Sequence, residues 1–196
     1  MKNSSKNFLK EIIEKKENEV RELKKLIPEK DIIRLASKAK ERRGFLKTLS
    51  IYNNKPNIIA EIKLASPSKG DINLKLDIKK QARAYEKAGA SAISVLTEKD
   101  FFKGHPDYIR QIKKVTKLPV LRKDFIISKY QLYESVLLGA DAVLLIVSVL
   151  SQKKLSEYIK ICKKLNLDVL VEIHNEAELK RATRAHAEFK ALITGI

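Results

Sequence analysis

The chain has 196 residues, with 41 Lys and Arg against 24 Asp and Glu, a formal charge of +17. Hydrophobic residues make up 44% and charged residues 33%, with only 6 Gly and 5 Pro, so collagen-like repeats, disorder and linker-rich architectures are excluded. The single cysteine, Cys162, cannot close an internal disulfide, which excludes the disulfide-stapled secreted class and points to the cytoplasm.

No stretch approaches the roughly 18–20 consecutive apolar residues of a membrane span. The richest run, Ala142-Val143-Leu144-Leu145-Ile146-Val147, is strand-sized, and Met1-Lys2-Asn3-Ser4-Ser5 lacks the apolar core of a signal peptide. The positive excess suits a polyanion or a phosphorylated, carboxylated small molecule, and plain compositional bias produces it equally well.

From Ser4 to Ile27 the apolar positions Phe8, Leu9, Ile12, Ile13, Val20, Leu23, Leu26 and Ile27 recur at three- and four-residue spacings, predicting an amphipathic helix. Pro28 stops it, and Ile32, Leu35 and Ala39 share a face in a second short helix over Asp31–Lys40. Residues 1–50 thus read as a helical extension and 51–196 as a βα domain. Strands are predicted at Asn57–Lys63, Ser91–Thr97, Leu118–Arg122, Asp141–Val147, Asp168–Ile173 and Lys190–Ile196. Between them lie helices at about Asp77–Ala88, Pro106–Thr116, Ser128–Leu138, Ser151–Leu165 and Asn175–Ala185. Gly89 and Gly139 fall just past helix ends, and Gly89-Ala90-Ser91-Ala92-Ile93 is echoed by Gly139-Ala140-Asp141-Ala142-Val143. Strands joined by helices mean a parallel sheet covered on both faces or a closed (β/α)8 barrel. Six units make the chain about two short of a barrel.

Period-2 alternation puts Ile59, Glu61 and Lys63 on one face of the first strand and Ile58, Ala60 and Ile62 on the other. Leu121, Lys123 and Phe125 share a face leaving the third strand, and Leu170 and Glu172 share one in the fifth. Ions at several strand carboxyl ends suggest a mouth where a ligand completes their pairing, because a lone charge inside a barrel is costly; solvated strand ends are the plainer alternative. Ser66-Pro67-Ser68-Lys69-Gly70 follows the first strand, and its hydroxyls and backbone N–H groups suit an anion as well as an ordinary turn. His105, His174 and His186 lack metal-ligand spacing, neither G-x-G-x-x-G nor the P-loop pattern occurs, and the basic residues are scattered over helices without an aromatic-rich nucleic-acid signature.

Taken together, Ile59-Ala60-Glu61-Ile62-Lys63, Ser66-Pro67-Ser68-Lys69-Gly70, Leu96-Thr97-Glu98 before Phe101-Phe102-Lys103-Gly104, Arg122-Lys123-Asp124-Phe125, Gly139–Ile146 and Val171-Glu172-Ile173-His174 closely resemble indole-3-glycerol phosphate synthase. Arg43-Gly44-Phe45-Leu46-Lys47 resembles the family's leading segment. The resemblance implies a (β/α)8 TIM barrel with an N-terminal helical extension. It also implies a lyase of tryptophan biosynthesis working without metal or organic cofactor. The family closes the indole ring of 1-(2-carboxyphenylamino)-1-deoxyribulose 5-phosphate with loss of carbon dioxide and water.

Carried over by motif, Lys123 is the general acid toward the substrate carbonyl, and Glu172 the base or cation-stabilising carboxylate of rearomatisation and dehydration. Lys63, beside Glu61, engages the substrate carboxylate or phosphate and is a second proton donor. Phe102, Phe125 and Leu144 match the apolar pocket around the anthranilate ring, with plain core packing as the alternative; Ser66 and Ser68 match the first-strand loop. The implied partner is a small phosphorylated, carboxylated substrate, with no nucleic acid or membrane; association with another enzyme of the pathway stays open.

After Gly195-Ile196 the family continues with an Asn- and Arg-bearing segment and two more strands whose loops grip the phosphate. The sequence therefore reads as truncated after the sixth barrel strand, with two sheet edges open. Three alternatives accompany this reading: a non-catalytic fragment needing a complementing part, another phosphate-handling barrel such as a phosphoribosylanthranilate isomerase relative, and, weakest, a basic nucleic-acid binder, whose phosphate contacts would impose a salt dependence. The second would use a Cys–Asp pair, and no Cys lies at a strand end.

Overall fold

The computed structural model describes residues 2–39, 42–51, 56–186 and 192–195. Three helices come first: α1 (Lys2–Leu26), α2 (Glu29–Ala36) and α3 (Phe45–Leu49). Strand β1 (Ile59–Ile62) leads into a small hairpin, β2 (Ala65–Ser66) and β3 (Gly70–Asp71). Helices and strands then alternate as α4 (Ile78–Lys87), β4 (Ala92–Leu96), α5 (Asp107–Lys113), β5 (Val120–Lys123), α6 (Lys129–Leu138), β6 (Ala142–Ile146), α7 (Gln152–Lys164), β7 (Asp168–Ile173), α8 (Glu176–His186) and β8 (Leu192–Gly195).

Six strands pair in parallel in the order β1-β4-β5-β6-β7-β8. Each new strand lies beside the one before it, and the order never reverses. A doubly wound sheet reverses at a switch point, so this topology is that of a TIM barrel. Each of the six strands falls on a predicted one: the fifth has the predicted bounds, the third starts two residues later and ends one later, and the others are trimmed; the last was predicted over Lys190–Ile196, of which Lys190, Ala191 and Ile196 lie outside the described residues. Pro119 has no N–H to give the ladder, so the third strand begins at Val120, and it runs on to Lys123, whose carbonyl accepts the Thr97 N–H at 3.0 Å.

The two faces of the sheet carry two cores, as alternation requires. Ile62, Ile93, Val95, Val120, Val143, Leu145, Val169, Val171 and Ile173 face the helices, where they meet Ile109, Leu132, Leu155 and Cys162. Ile59, Ala92, Leu121, Ala142, Leu144, Ile146 and Leu170 face the other way and form the barrel lining with Phe45. Gly139 ends α6 at φ 88°, a left-handed conformation that spares any Cβ, and thereby turns the chain into β6; Gly89 does the same after α4 at φ 87°.

Helix α3 was not anticipated. Its Phe45 is fully buried against the amino-terminal ends of the inner strands. The segment is strapped there by hydrogen bonds: the Arg43 N–H donates to Asp141 Oδ1 at 2.8 Å, and the Leu46 N–H to Asp168 Oδ2 at 2.9 Å. The Arg43 guanidinium donates to the carbonyls of Lys113, Thr116 and Leu118. Asp141 immediately precedes β6 and Asp168 opens β7, so these acids tie the extension to the floor of the barrel. Helix α2 begins at Glu29 rather than Asp31, because Pro28 both ends α1 and accepts the first bonds of the next helix through its carbonyl; Lys40, the predicted end, lies outside the described residues. On the far side, Tyr130 of α6 is buried with Val20 and Ile32 and donates its hydroxyl to the carbonyls of Leu23 and Ile27.

Candidate active site

The carboxyl ends of the strands bring the predicted ionisable residues to one mouth. Glu61 leaves β1 toward the barrel interior and accepts two ammonium groups at once. Lys63 Nζ lies 2.8 Å from its Oε1, and Lys123 Nζ of β5 lies 2.8 Å from its Oε2. About a third of each lysine side chain is exposed, so both ammoniums face the mouth while anchored below it. Burial alone would raise the Glu61 carboxyl, but the hydrogen bonds and charges of Lys123 and Lys63 outweigh it and hold the group below the ordinary glutamate value. The trio is a carboxylate carrying two cations, with one net positive charge presented to a ligand.

Glu172, on the inner face of β7, sits level with Ile146 of β6. Its side chain is 12% exposed, and its Oε1 lies 3.3 Å from His174 Nε2. Among the described residues, neither Lys63 nor Lys123 pairs with Glu172; the site has two separate ionic poles.

An apolar wall joins them. The rings of Phe102 and Phe125 stand 6.4 Å apart at 41°. Phe125 packs on the inner core to which Leu144 belongs, and Leu144 is only 3% exposed. Leu144 is therefore part of the buried lining, whereas the two phenylalanines are partly open. Ser66 and Ser68 approach to 3.5 Å between their hydroxyl oxygens at the tip of the β2–β3 hairpin. The Lys69 N–H there is already donated to Ser66, to the carbonyl and to Oγ. The hydroxyls are thus better placed than that amide for a ligand.

The loop bearing Phe102 is built around Glu98. This carboxylate is buried and accepts the N–H groups of Asp100, Phe101 and Phe102 at 3.0, 2.8 and 3.0 Å. Gly104 closes the turn by donating its N–H to the Glu98 carbonyl at 2.7 Å; a Cβ there would stand 2.3 Å from the Leu96 carbonyl oxygen. The backbone approach itself demands glycine.

Sequence reasoning missed the groups that hold Lys123 and Phe125 in place. Arg122 and Asp124 flank Lys123 and so point to the opposite face. Asp124 is buried, accepts the Thr97 hydroxyl at 2.7 Å and Arg122 Nη2 at 3.0 Å through Oδ2, and holds the Phe125 N–H at 2.9 Å through Oδ1. Lys16 of α1, itself 2% exposed, reaches Asp124 Oδ1 at 2.9 Å and Glu19 at 2.6 Å. Arg122 also donates to Glu134 at 2.7 Å and Ser135 at 3.1 Å on α6. Burial works against the ionised Asp124, yet Lys16 and Arg122 push its carboxyl down to about 2. A signal for Lys16 did exist: Ile12, Lys16 and Val20 lie four residues apart, which puts a lysine on the apolar stripe of α1. Ser94 was missed as well. Level with Glu61 and Leu121 on the inner face, its buried hydroxyl has no partner among the described residues.

Helix α1 also grips the Phe102 loop. Phe8 packs edge-on against Phe101 with centroids 4.9 Å apart, Lys15 Nζ lies 4.5 Å over the Phe101 ring, and Lys99 pairs with Glu19 at 3.1 Å.

The crystal structure of a 3-hexulose-6-phosphate synthase superposes with a TM-score of 0.53 at 15% identity, covering 71% of this chain and 65% of that one, a likeness of fold alone. The indole-3-glycerol phosphate synthase of Caldanaerobacter subterraneus subsp. tengcongensis is 51% identical over 178 residues, 91% of this chain and 68% of the relative. That of Syntrophobacter fumaroxidans is 44% identical over 182 residues, 92% of this chain and 69% of the relative. The chain thus spans about two thirds of the length of these relatives. The family model described as indole-3-glycerol phosphate synthase matches residues 9–196, which include Glu61, Lys63, Lys123 and Glu172, and the chain belongs to that family.

Proposed function

We propose that the chain carries out the reaction named by its family, the decarboxylating and dehydrating ring closure of 1-(2-carboxyphenylamino)-1-deoxyribulose 5-phosphate. The observation that supports it most is the Lys63–Glu61–Lys123 cluster beside the Phe102–Phe125 wall, because a substrate with a carboxylate, a phosphate and an aromatic ring needs both. Phe102 and Phe125 flank the anthranilate ring over Leu144. Lys123 protonates the ribulose carbonyl oxygen as the carboxyl-bearing ring carbon attacks, its ammonium supplying charge where the oxygen becomes negative. Carbon dioxide leaves next. Lys63 engages the substrate carboxylate or phosphate and donates the second proton, with which the former carbonyl oxygen departs as water. Glu172 stabilises the cationic ring system and takes the proton whose loss makes it aromatic. Glu61 keeps both lysines charged and aimed, and the hydroxyls of Ser66 and Ser68 meet an anionic group.

In this reading residues 1–50 are the helical extension and 51–196 the catalytic barrel portion, acting in the cytoplasm on a small molecule as a carboxy-lyase of tryptophan biosynthesis. No helix among the described residues is long and apolar enough to cross a membrane. The test is indole fluorescence on mixing the 196-residue chain with this substrate. Turnover that falls at least about a hundredfold in Lys123→Ala is the expected result. Absence of product from the unaltered chain, or turnover indifferent to Lys123, overturns the proposal.

A further inference from the structure

Among the described residues, one imidazole stands between the Glu172 carboxylate and a second carboxylate. His174 Nε2 lies 3.3 Å from Glu172 Oε1, and its Nδ1 lies 3.4 Å from Glu178 Oε2. Glu178 is itself immobilised at the start of α8. Its Oε2 accepts the His174 N–H at 2.9 Å, its Oε1 accepts Asn175 Nδ2 at 3.1 Å, and its own N–H donates to Asn175 Oδ1 at 2.9 Å. Both carboxylate side chains are 12% exposed, whereas His174 is 42% exposed. The imidazole is thus the wet member of a carboxylate–imidazole–carboxylate chain, and neither neighbour reaches water as freely.

We propose that His174 is the positioning and proton-relay residue of Glu172. The inference rests on the catalytic reading above, in which Glu172 receives one proton per turnover and has to lose it before the next. The Glu178 carboxylate, 3.4 Å from Nδ1, favours a proton on that nitrogen, which leaves Nε2 as a base facing Glu172. The protonated Glu172 passes its proton from Oε1 to Nε2, giving an imidazolium flanked by two carboxylates. The imidazolium then gives a proton to water, and the Nδ1–H tautomer is restored by exchange with solvent. One proton enters the chain from the substrate and one leaves to water; no bond other than those to hydrogen changes.

The experiment compares the unaltered chain with His174→Ala and His174→Gln in steady-state turnover of the carboxyphenylamino substrate, with and without added imidazole. It is accompanied by 15N NMR of the His174 ring in the unaltered chain and in Glu172→Gln. Both His174 variants are expected to lose kcat by about tenfold to a hundredfold with KM within about twofold. In His174→Ala, imidazole restores kcat, and ring additives of similar size restore it in the order of their basicity. A purely structural gap would be filled by non-basic rings equally well. The Nε2 resonance shifts in Glu172→Gln. Turnover unchanged in both variants, a loss that no base repairs, or an Nε2 signal indifferent to Glu172 overturns the relay while leaving the catalytic reading standing. An unaltered chain without turnover overturns that reading and the relay with it.

Discussion

Lys16 Nζ lies 2.9 Å from Asp124 Oδ1, and that same oxygen holds the N–H of Phe125. A lysine 108 positions earlier in the chain thereby neutralises the carboxylate that fixes the backbone between Lys123 and Phe125. Two charges taken out of water are stabilising only when every remaining lone pair and proton finds a partner. Here Thr97, Arg122, Glu19 and the Phe125 amide complete the set. The extension and the mouth of the barrel are accordingly one electrostatic unit.

Breaking that unit destabilises the fold. Lys16→Met keeps the length of the side chain and removes its charge, and is expected to lower the urea-derived unfolding free energy by about 3–5 kcal/mol. A loss below about 1 kcal/mol would show the pair to be energetically idle.

The pair also predicts the acid limb of stability. The Asp124 carboxyl is held at about 2 in the folded chain, against roughly 3.9 when unfolded, so its contribution is full above about pH 4 and is lost as pH falls through 2. The shift corresponds to roughly 2–3 kcal/mol. The Lys16 ammonium is raised above its usual value despite burial, because Asp124 and Glu19 favour its charge. Its contribution is therefore full below about pH 10 and is lost as pH rises through the folded value. Unfolding free energies of the unaltered chain and Asp124→Asn from pH 5 to 2 test the acid limb: the gap between them closes as pH falls, and a constant gap would refute it.

Gly104→Ala is predicted to disturb the site from a distance. Its Cβ would sit 2.3 Å from the Leu96 carbonyl oxygen, so backbone has to move, and the loop carrying Phe102 moves with it. A cost of about 1–3 kcal/mol is expected, together with a rise in KM that exceeds any fall in kcat, since the proposed function gives Phe102 the anthranilate ring to flank and not the reacting oxygen. A chain with unaltered KM and stability would contradict the assignment.

Phe45→Ala tests the floor of the barrel. The ring is fully buried among the inner ends of the strands, so its removal is expected to cost about 3–5 kcal/mol by thermal or urea unfolding. A loss under 1 kcal/mol would mean that α3 does not plug the sheet.

Glu61→Gln separates electrostatic organisation from stability. The two lysines lose their shared anion, and kcat is expected to fall about a hundredfold. Because the side chains are about a third exposed, stability should change by no more than about 1 kcal/mol. A large stability loss with unchanged kcat would assign the trio a structural role instead.

Alternation of residue types by itself determined the faces of the strands. Ile59, Glu61 and Lys63 had to share one face, as did Leu121, Lys123 and Phe125, because β geometry admits no other period, and helices between strands required parallel pairing. Gly89 and Gly139 were legible as helix stops for the same local reason. Tertiary structure alone decided what those faces meet. That Glu61 also reaches Lys123, two strands away in the sheet, depends on strand order and register, to which no local rule has access, whereas Lys63 and His174 each lie only two residues along from the carboxylate they face. Lys16 and Asp124 belong to segments more than 100 residues apart, and Arg43 finds its carbonyls 70 to 75 residues away. Their charges looked like surface charges in the sequence, where most lysines and aspartates are solvated. Only the packed fold, by removing water from both partners at once, turned them into the braces of the site.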